Sequence, residues 1–469
     1  MTQRRKWVFS VTGGMLVTCL ITIGPWPLDR HPDSKPEADA LQLITRMGNE
    51  LHDQHVARSL QPFKAGWATE AFDLPQGIPL AGYGSRLGAA STGVMAGELL
   101  AARSLVLQSS DKNNNQEKIS TVAIICTDLL LVNAPNADAV YKQVQNHLGS
   151  QTPILLFTAT HTHSGPGGWG SVIVEELIAG PHNPDVVEEL IRAISKSVIA
   201  AVDALAPASY AWIETQAPQY MRNRSAHGAG VDGTLEALVL KKNKGGIDKV
   251  ALLAVFGAHA TCLSDENLEL SGDYPGYLVR TLEATKKIDF AAFAAGNTGS
   301  HSPVTSGNRS DRVADIGGGL ARLLLEQLQS VKFHSTARLS ANEFELPTPE
   351  LQIRFGSSLR ASPLVTSLIH QPRAHLSTLR IDDHLWVGVP IEVSGLLSKP
   401  LRTYATEAGL SGLTISNFQG DYLGYILPNN LYIEGSAYEA QMSFLGPTGG
   451  SYFVNLMHAL INTQKPAPQ

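Results

Sequence analysis

Cysteine is scarce: Cys19, Cys126 and Cys262 are the three in a chain of 469 residues, too few for a disulfide framework. Charge is scarce as well. Asp, Glu, Lys and Arg make up 17% of the residues, below the usual quarter, and the net charge is −6. A disordered, solvated chain is therefore excluded, and without a long basic stripe there is no electrostatic footprint for nucleic acid. No repeat with a period of roughly 20–50 residues is present, which excludes a solenoid or propeller array. The G-x-S-x-G turn that presents the nucleophile of many serine hydrolases is also missing. Glycine and proline, at 42 and 26, are near average in sum and show no collagen-like or low-complexity bias.

What is present begins at the N-terminus. Arg4, Arg5 and Lys6 precede an uncharged run from Trp7 to Ile23, closed by Gly24-Pro25-Trp26-Pro27. Residues 1–27 read as a signal-anchor that leaves the body outside the cytoplasm, in the periplasm or at the cell surface; a cleaved signal peptide and secretion are the alternative. Residues 28–62 read as a stalk with a helix from Glu37 to Leu51, apolar at Leu41, Ile44, Met47 and Leu51. Residues 63–460 read as one large domain. Ser104–Gln108, Thr121–Cys126, Ile154–Thr158, Ala251–Phe256 and Leu385–Val389 have strand character, whereas Val186–Ala204 and Ala314–Leu328 have helical spacing. Lys112–Lys118 reads as a surface loop, and Cys126 and Cys262, both in apolar runs, as buried small hydrophobes. The alternation predicts an α/β fold: a mixed β-sheet flanked by helices and long Gly-rich loops, preceded by the membrane anchor.

The densest chemical signal is Thr158-Ala159-Thr160-His161-Thr162-His163-Ser164-Gly165-Pro166-Gly167-Gly168, directly after a strand. In extended backbone, residues two apart point to one side, so His161 and His163 are expected to project together. Two imidazoles on one face suit a metal such as zinc, or one ligand beside one proton carrier. His259 follows another strand; Asn223-Arg224-Ser225 and Asn297-Thr298-Gly299-Ser300-His301-Ser302-Pro303 are polar clusters between apolar segments. Glu392, in Val389-Pro390-Ile391-Glu392-Val393, needs a metal or a cation to be buried there.

Taken in order, these motifs resemble the catalytic domain of the neutral (non-lysosomal) ceramidases, from about Ala65 to about Pro447. THTHSGPGG matches that family in full, and Gly272-Asp273-Tyr274-Pro275-Gly276-Tyr277 looks like its GD-x-x-GY element. The resemblance implies a zinc ion held by His161, His259, Glu392 and a tyrosine. Asp421-Tyr422-Leu423-Gly424-Tyr425 keeps the family's Y-x-x-Y spacing, which makes Tyr425 the ligand and Tyr422 the second choice. It further implies that His163 moves a proton, that Arg224 stands near the scissile carbonyl or the substrate's polar head, and that Ser302 is an active-centre hydroxyl that positions substrate. The implied reaction is hydrolysis of the amide of an N-acyl lipid, ceramide giving sphingoid base and fatty acid.

The chain departs from the family at several places. The family's GDVSP reads Gly299-Ser300-His301-Ser302-Pro303, its PGEF reads Pro390-Ile391-Glu392-Val393, and only Tyr438-Glu439-Ala440-Gln441 survives of its EEY-x-x-Q element. The metal ligands are retained while parts of the substrate shell are not. The same zinc chemistry on another amide or ester is the second reading, and a catalytically silent lipid-binding surface protein the third. The expected partners are an acyl-amide substrate and a membrane, with no nucleic acid. The resemblance leaves only a short tail, so the separate C-terminal domain usual in that family is not expected.

Overall fold

The computed structural model describes residues 22–56, 61–113, 116–244, 246–369 and 373–465. Its centre is a large mixed sheet. In spatial order the strands are Phe290–Ala295, Ile247–Phe256, Thr234–Lys244, Ala206–Gln216, Gln61–Ala71, Ala101–Asn113, Gln116–Thr127 and Ile154–Ala159, and Thr336–Ala337 adds to Gln61–Ala71. The pairs are antiparallel in the middle and parallel at both ends, where Ile247–Phe256 meets Phe290–Ala295 and Gln116–Thr127 meets Ile154–Ala159. A bridge between Thr162 and Ala260 ties the two ends together just beyond their strands. A second sheet runs Leu339–Glu345, His375–Ile381, His384–Val389 and Gly412–Asn417, its last pair parallel.

Period-two alternation along these strands feeds two cores at once. On Ala101–Asn113, Ala102 and Val106 face helices, whereas Leu105 and Leu107 face the second sheet, against Leu379, Ile381 and Trp386. The helices on the first side are Ala134–Leu148, Pro184–Asp203, Asp273–Ala284 and Arg309–Leu328. Asn133 and Asn183 cap two of them with their side chains, each ahead of a proline in the first turn, and Asn308 with Asp311 forms a capping box on a third. The far side of the second sheet is covered by Lys35–Val56, Gly395–Glu407 and Gly449–Thr463. The result is four layers: helices, large sheet, small sheet, helices.

The predicted strands and helices lie where expected, and Cys126 and Cys262 are buried free thiols. Two expectations differ. Lys112–Lys118 spans the end of a hairpin whose described strands pair as far as Asn113 with Gln116, because the register set by the apolar part of the strands carries on outward. The helix read as part of a stalk, Lys35–Val56, does not stand clear of the body. It buries Ala40, Ile44 and Leu51 against Leu456, Leu460 and Ile461 of the C-terminal helix, so its apolar stripe is a packing face. The signal-anchor expectation falls mostly on residues 1–21, outside the described residues; among those described, no helix is long and apolar enough to cross a membrane.

Candidate metal centre

The parallel strands of both sheets end at one place. Ile154–Ala159 leads to His161, Ile247–Phe256 to His259, Phe290–Ala295 to Thr298, His384–Val389 to Glu392 and Gly412–Asn417 to Phe418, Tyr422 and Tyr425. Carboxyl ends of parallel strands are where open α/β sheets place their sites. A two-residue parallel pairing of Glu392 with Tyr425 then fixes the last two relative to each other.

His161 and His163 do come together, but not through strand alternation. The strand stops at Ala159, and His161 takes the left-handed backbone region at φ 57°, a strained position for a residue with a side chain. This turn sets the two rings 4.8 Å apart and edge to face. Gly82 makes room for it: its φ is +109°, and a Cβ there would lie 2.7 Å from the His163 side chain. Arg86 fixes the other flank by donating to the His163 carbonyl at 2.5 Å.

Hydrogen bonds assign the tautomers. His161 donates Nδ1–H to the Leu130 carbonyl at 2.8 Å, and His259 donates Nδ1–H to the His301 carbonyl at 3.1 Å. Both Nε2 atoms are thus left as bare acceptors. Glu392 Oε2 lies 2.9 Å from the Nε2 of His259 and 3.6 Å from that of His161. His163 joins the cluster with Nε2 at 3.3 Å from the Nε2 of His161, and its Nδ1 is buried without a hydrogen-bond partner. His161, His163 and His259 can all present ring nitrogens within 4.8 Å of one another. Buried acceptors facing one another need a cation between them, and imidazole with carboxylate is a donor set that suits zinc. The residues present therefore fit a metal ion.

The surrounding groups hold the ionisation states this requires. Burial alone would raise the Glu392 carboxyl; the Tyr422 hydroxyl, which donates to it, pulls the other way, and the group lies well below the ordinary carboxylate range. Burial, then the Arg224 charge, pushes His259 down to about 4. His163 is driven well below its usual value by burial and then by His161 and His259. The imidazoles are neutral and the carboxylate is charged at neutral pH.

The two tyrosines are separated by geometry. Tyr425 places its hydroxyl 3.1 Å from His259 Nε2, while Tyr422 donates to the other oxygen of Glu392 at 2.7 Å. Arg224 Nη2 lies 3.0 Å from His259 Nε2 and 3.2 Å from the Tyr425 hydroxyl, and its Nε donates to buried Glu439 at 2.5 Å. Ser302 is held less directly. It pairs with Arg222 on a short ribbon, and its hydroxyl accepts from Arg222 Nε at 3.2 Å. From the same segment the cluster is met by Thr298, which donates to Glu392 Oε2 at 3.3 Å, and by the His301 carbonyl. The His301 ring is buried and turned away, donating Nδ1–H to the carbonyls of Gly257 and Asn297 and accepting from Asp232 N–H. Gly299 permits this close approach, since a Cβ there would lie 2.4 Å from the Glu392 carbonyl.

Sequence reasoning missed Phe418, whose ring stacks on His161 at 4.2 Å, and the role of Glu439. Nothing in the pattern marks Phe418; Glu439 sits in the retained Tyr438-Glu439-Ala440-Gln441. A cavity of about 500 Å³ opens over the cluster, lined by Tyr83, His163, Arg224, His259, Tyr425 and Tyr438 among others.

A four-layer α/β body with a buried imidazole–carboxylate cluster at its strand ends defines an α/β fold with a candidate metal site. The chain belongs to the neutral/alkaline non-lysosomal ceramidase family: the model of that family's N-terminal part matches residues 75–316, about half of the sequence. The neutral ceramidase of Mycobacterium tuberculosis is 29% identical over 171 residues, 32% of this chain and 27% of that protein. The neutral ceramidase of Pseudomonas aeruginosa is 26% identical over 163 residues, 32% of this chain and 24% of that protein. The matched segment thus spans about a quarter of the length of these curated relatives. The crystal structure of neutral ceramidase from Pseudomonas aeruginosa shares the fold with a TM-score of 0.69 at 18% identity, covering 86% of this chain and 75% of that one. A ceramidase complexed with C2 matches with the same TM-score and coverage at 17% identity.

Proposed function

We propose that the chain is a zinc-dependent hydrolase that cleaves the amide of an N-acyl lipid, ceramide giving sphingoid base and fatty acid. The observation that carries this reading is the convergence of His161 Nε2, His259 Nε2 and Glu392 Oε2, three acceptors within one buried shell, in a chain of a ceramidase family. His161, His259, Glu392 and Tyr425 would hold the zinc. When bound, zinc acidifies water and polarises an amide carbonyl.

The remaining work falls to the chain's own side chains. His163, kept neutral by burial and by its two neighbouring imidazoles, accepts a proton at Nε2 from the attacking water and returns it to the leaving amine. Arg224, fixed by Glu439 beside Tyr425, offers a permanent positive charge to the carbonyl oxygen as it becomes an oxyanion. Tyr422 and Thr298 hold Glu392 in one orientation through hydrogen bonds to its two oxygens. Ser302, held by Arg222 on the short ribbon, would be a substrate-positioning hydroxyl. The body acts outside the cytoplasm, attached to a membrane through the N-terminal apolar run.

The test is release of fatty acid by the purified full chain from a panel of N-acyl sphingosines, N-acyl amino acids and simple esters. Turnover of N-acyl sphingosine that needs zinc is the expected result. Turnover confined to other amides or esters would reject ceramide as substrate, and no turnover with no bound zinc would reject the enzyme reading.

A further inference from the structure

Away from the metal centre, three short strands form a sheet of their own. Trp26–Pro27 pairs with Leu359–Arg360, which pairs in turn with Arg354–Phe355. The registers place Pro27, Leu359 and Phe355 in one row and Trp26, Arg360 and Arg354 in the other. The two rows point to opposite faces. The arginine row is buried, with Arg360 over the Trp26 ring and paired to Glu350, and Arg354 bonded to the carbonyls of Gly356, Ser357 and Tyr432. The apolar row is the exposed one. This reverses the usual arrangement, in which charge faces water and apolar groups face the protein.

The helix Pro363–Ile369 follows immediately and carries Leu364 and Leu368 one turn apart. Ile23, Phe355, Leu359, Leu364 and Leu368 are between 40% and 72% exposed. The segments that bear them, residues 23–28, 355–359 and 361–369, contain no charged residue at all. The single charged residue between the last two, Arg360, is turned inward. Solvent-facing apolar groups in such a concentration mark a surface with a partner.

The place where the described chain starts identifies that partner. Ser362, at the head of the helix, donates its hydroxyl to the Thr22 carbonyl at 2.5 Å and its N–H to the Ile23 carbonyl at 3.4 Å. The uncharged run that begins at Trp7, behind Arg4, Arg5 and Lys6, therefore joins the body at this patch. A bilayer that takes up the run has its interface near Ile23, beside the head of the helix that carries Leu364 and Leu368 and next to the strands that carry the apolar row.

We infer that this face, made of Pro27, Leu359 and Phe355 of the sheet with Ile23, Leu364 and Leu368 beside it, lies against a lipid bilayer and fixes how the body sits on the membrane. Its position is suited to the proposed reaction. Arg354, beneath the sheet, bonds the carbonyl of Tyr432 in the helix Asn429–Glu434, and that helix leads through Gly435 to Tyr438 at the cavity mouth. The inference rests on the proposed membrane attachment of the N-terminal run and is independent of the hydrolytic chemistry.

The experiment uses the full chain carrying Cys19→Ser, in vesicles of phosphatidylcholine and phosphatidylglycerol. Leu359→Cys, Leu364→Cys and Leu368→Cys are each labelled with an environment-sensitive fluorophore, and Ile247→Cys, on the distant hairpin, is the control. Cys126 and Cys262 are buried and stay unlabelled. The expected result is a blue shift at the three patch positions, with loss of most of the emission when the lipids carry brominated acyl chains, and no change at position 247. Three separate positions keep the test valid if one variant folds poorly. Patch labels that stay in water while the chain floats with the vesicles would overturn the inference. So would a chain that does not float, or labels shielded in detergent by a second copy, seen as a dimer in sedimentation. Fatty-acid release is not part of the readout, so its loss cannot be mistaken for failure of docking.

Discussion

Glu392 presents Oε2 to the Nε2 of His259 at 2.9 Å, although neither atom carries a hydrogen in the assigned states. A cation between them removes that repulsion. His161→Ala, His259→Ala and Glu392→Gln are each expected to abolish stoichiometric zinc, measured by elemental analysis of the purified chain. A chelator should lower the melting temperature of the unmodified protein and leave that of the variants unchanged, because only the former has a bound ion to lose. Variants that retain full zinc would refute this ligand set.

His163 separates ligation from proton transfer. His163→Ala is expected to keep its zinc and lose kcat by about 10²–10⁴-fold, the usual contribution of a positioned acid or base. The split between metal content and rate is the readout. Loss of zinc in this variant would instead make His163 the third imidazole ligand.

Arg224 and Glu439 form a pair whose value lies in orientation. Glu439 is buried and holds the guanidinium at 2.5 Å, so Glu439→Gln leaves Arg224 free to swing away from Tyr425. Arg224→Ala and Glu439→Gln should each lower kcat/KM, and together they should cost less than the sum. A double-mutant cycle is expected to give a coupling of about 0.5–3 kcal/mol. Additive losses would mean that Glu439 does not act through Arg224.

Asp128 gives the fold a pH dependence of known sign. Burial pushes its carboxyl up to about 6, against the opposing pull of Arg103 and the Ala101 N–H. Unfolded, it titrates near 3.9. Between those values the folded chain holds the extra proton, so stability falls as pH rises from about 4 to about 6, and levels off above. The full change is on the order of 3 kcal/mol. Asp273 is raised to about 6 by burial as well, so urea unfolding of Asp128→Asn across this range should show a slope reduced by the Asp128 share; curves that run parallel to the unmodified protein's would show that Asp128 contributes none of it.

Leu51 tests the place of the helix Lys35–Val56. It is 1% exposed in the core shared with the C-terminal helix, and Leu51→Ala is expected to cost about 2–5 kcal/mol in denaturant unfolding. A residue on a free stalk would change stability by no more than about 0.5 kcal/mol.

Much of this molecule was legible in order along the chain. Apolar periodicity located the strands and helices because each buries one face or two, and that burial is written in residues two or 3.6 apart. Thr160-His161-Thr162-His163 declared itself because a compact motif needs all its parts within a few residues. The docking of Lys35–Val56 was not legible, since an amphipathic helix looks alike whether its stripe meets the body or a partner. The same holds for Ser302: its own sequence neighbours place it in the right loop, yet only the ribbon with Arg222 shows where the hydroxyl goes.

The sequence by itself determined which side chains could bind a metal, and that His161, His259 and Glu392 each follow a strand. Tertiary structure decided the rest. Glu439 reaches Arg224 across 215 residues and Tyr425 reaches His259 across 166, distances over which no pattern in the chain carries information. The left-handed turn at His161, and not the strand before it, brings the two neighbouring imidazoles together. Donor types are a property of residues; their convergence on one point is a property of two sheets whose parallel strands end side by side.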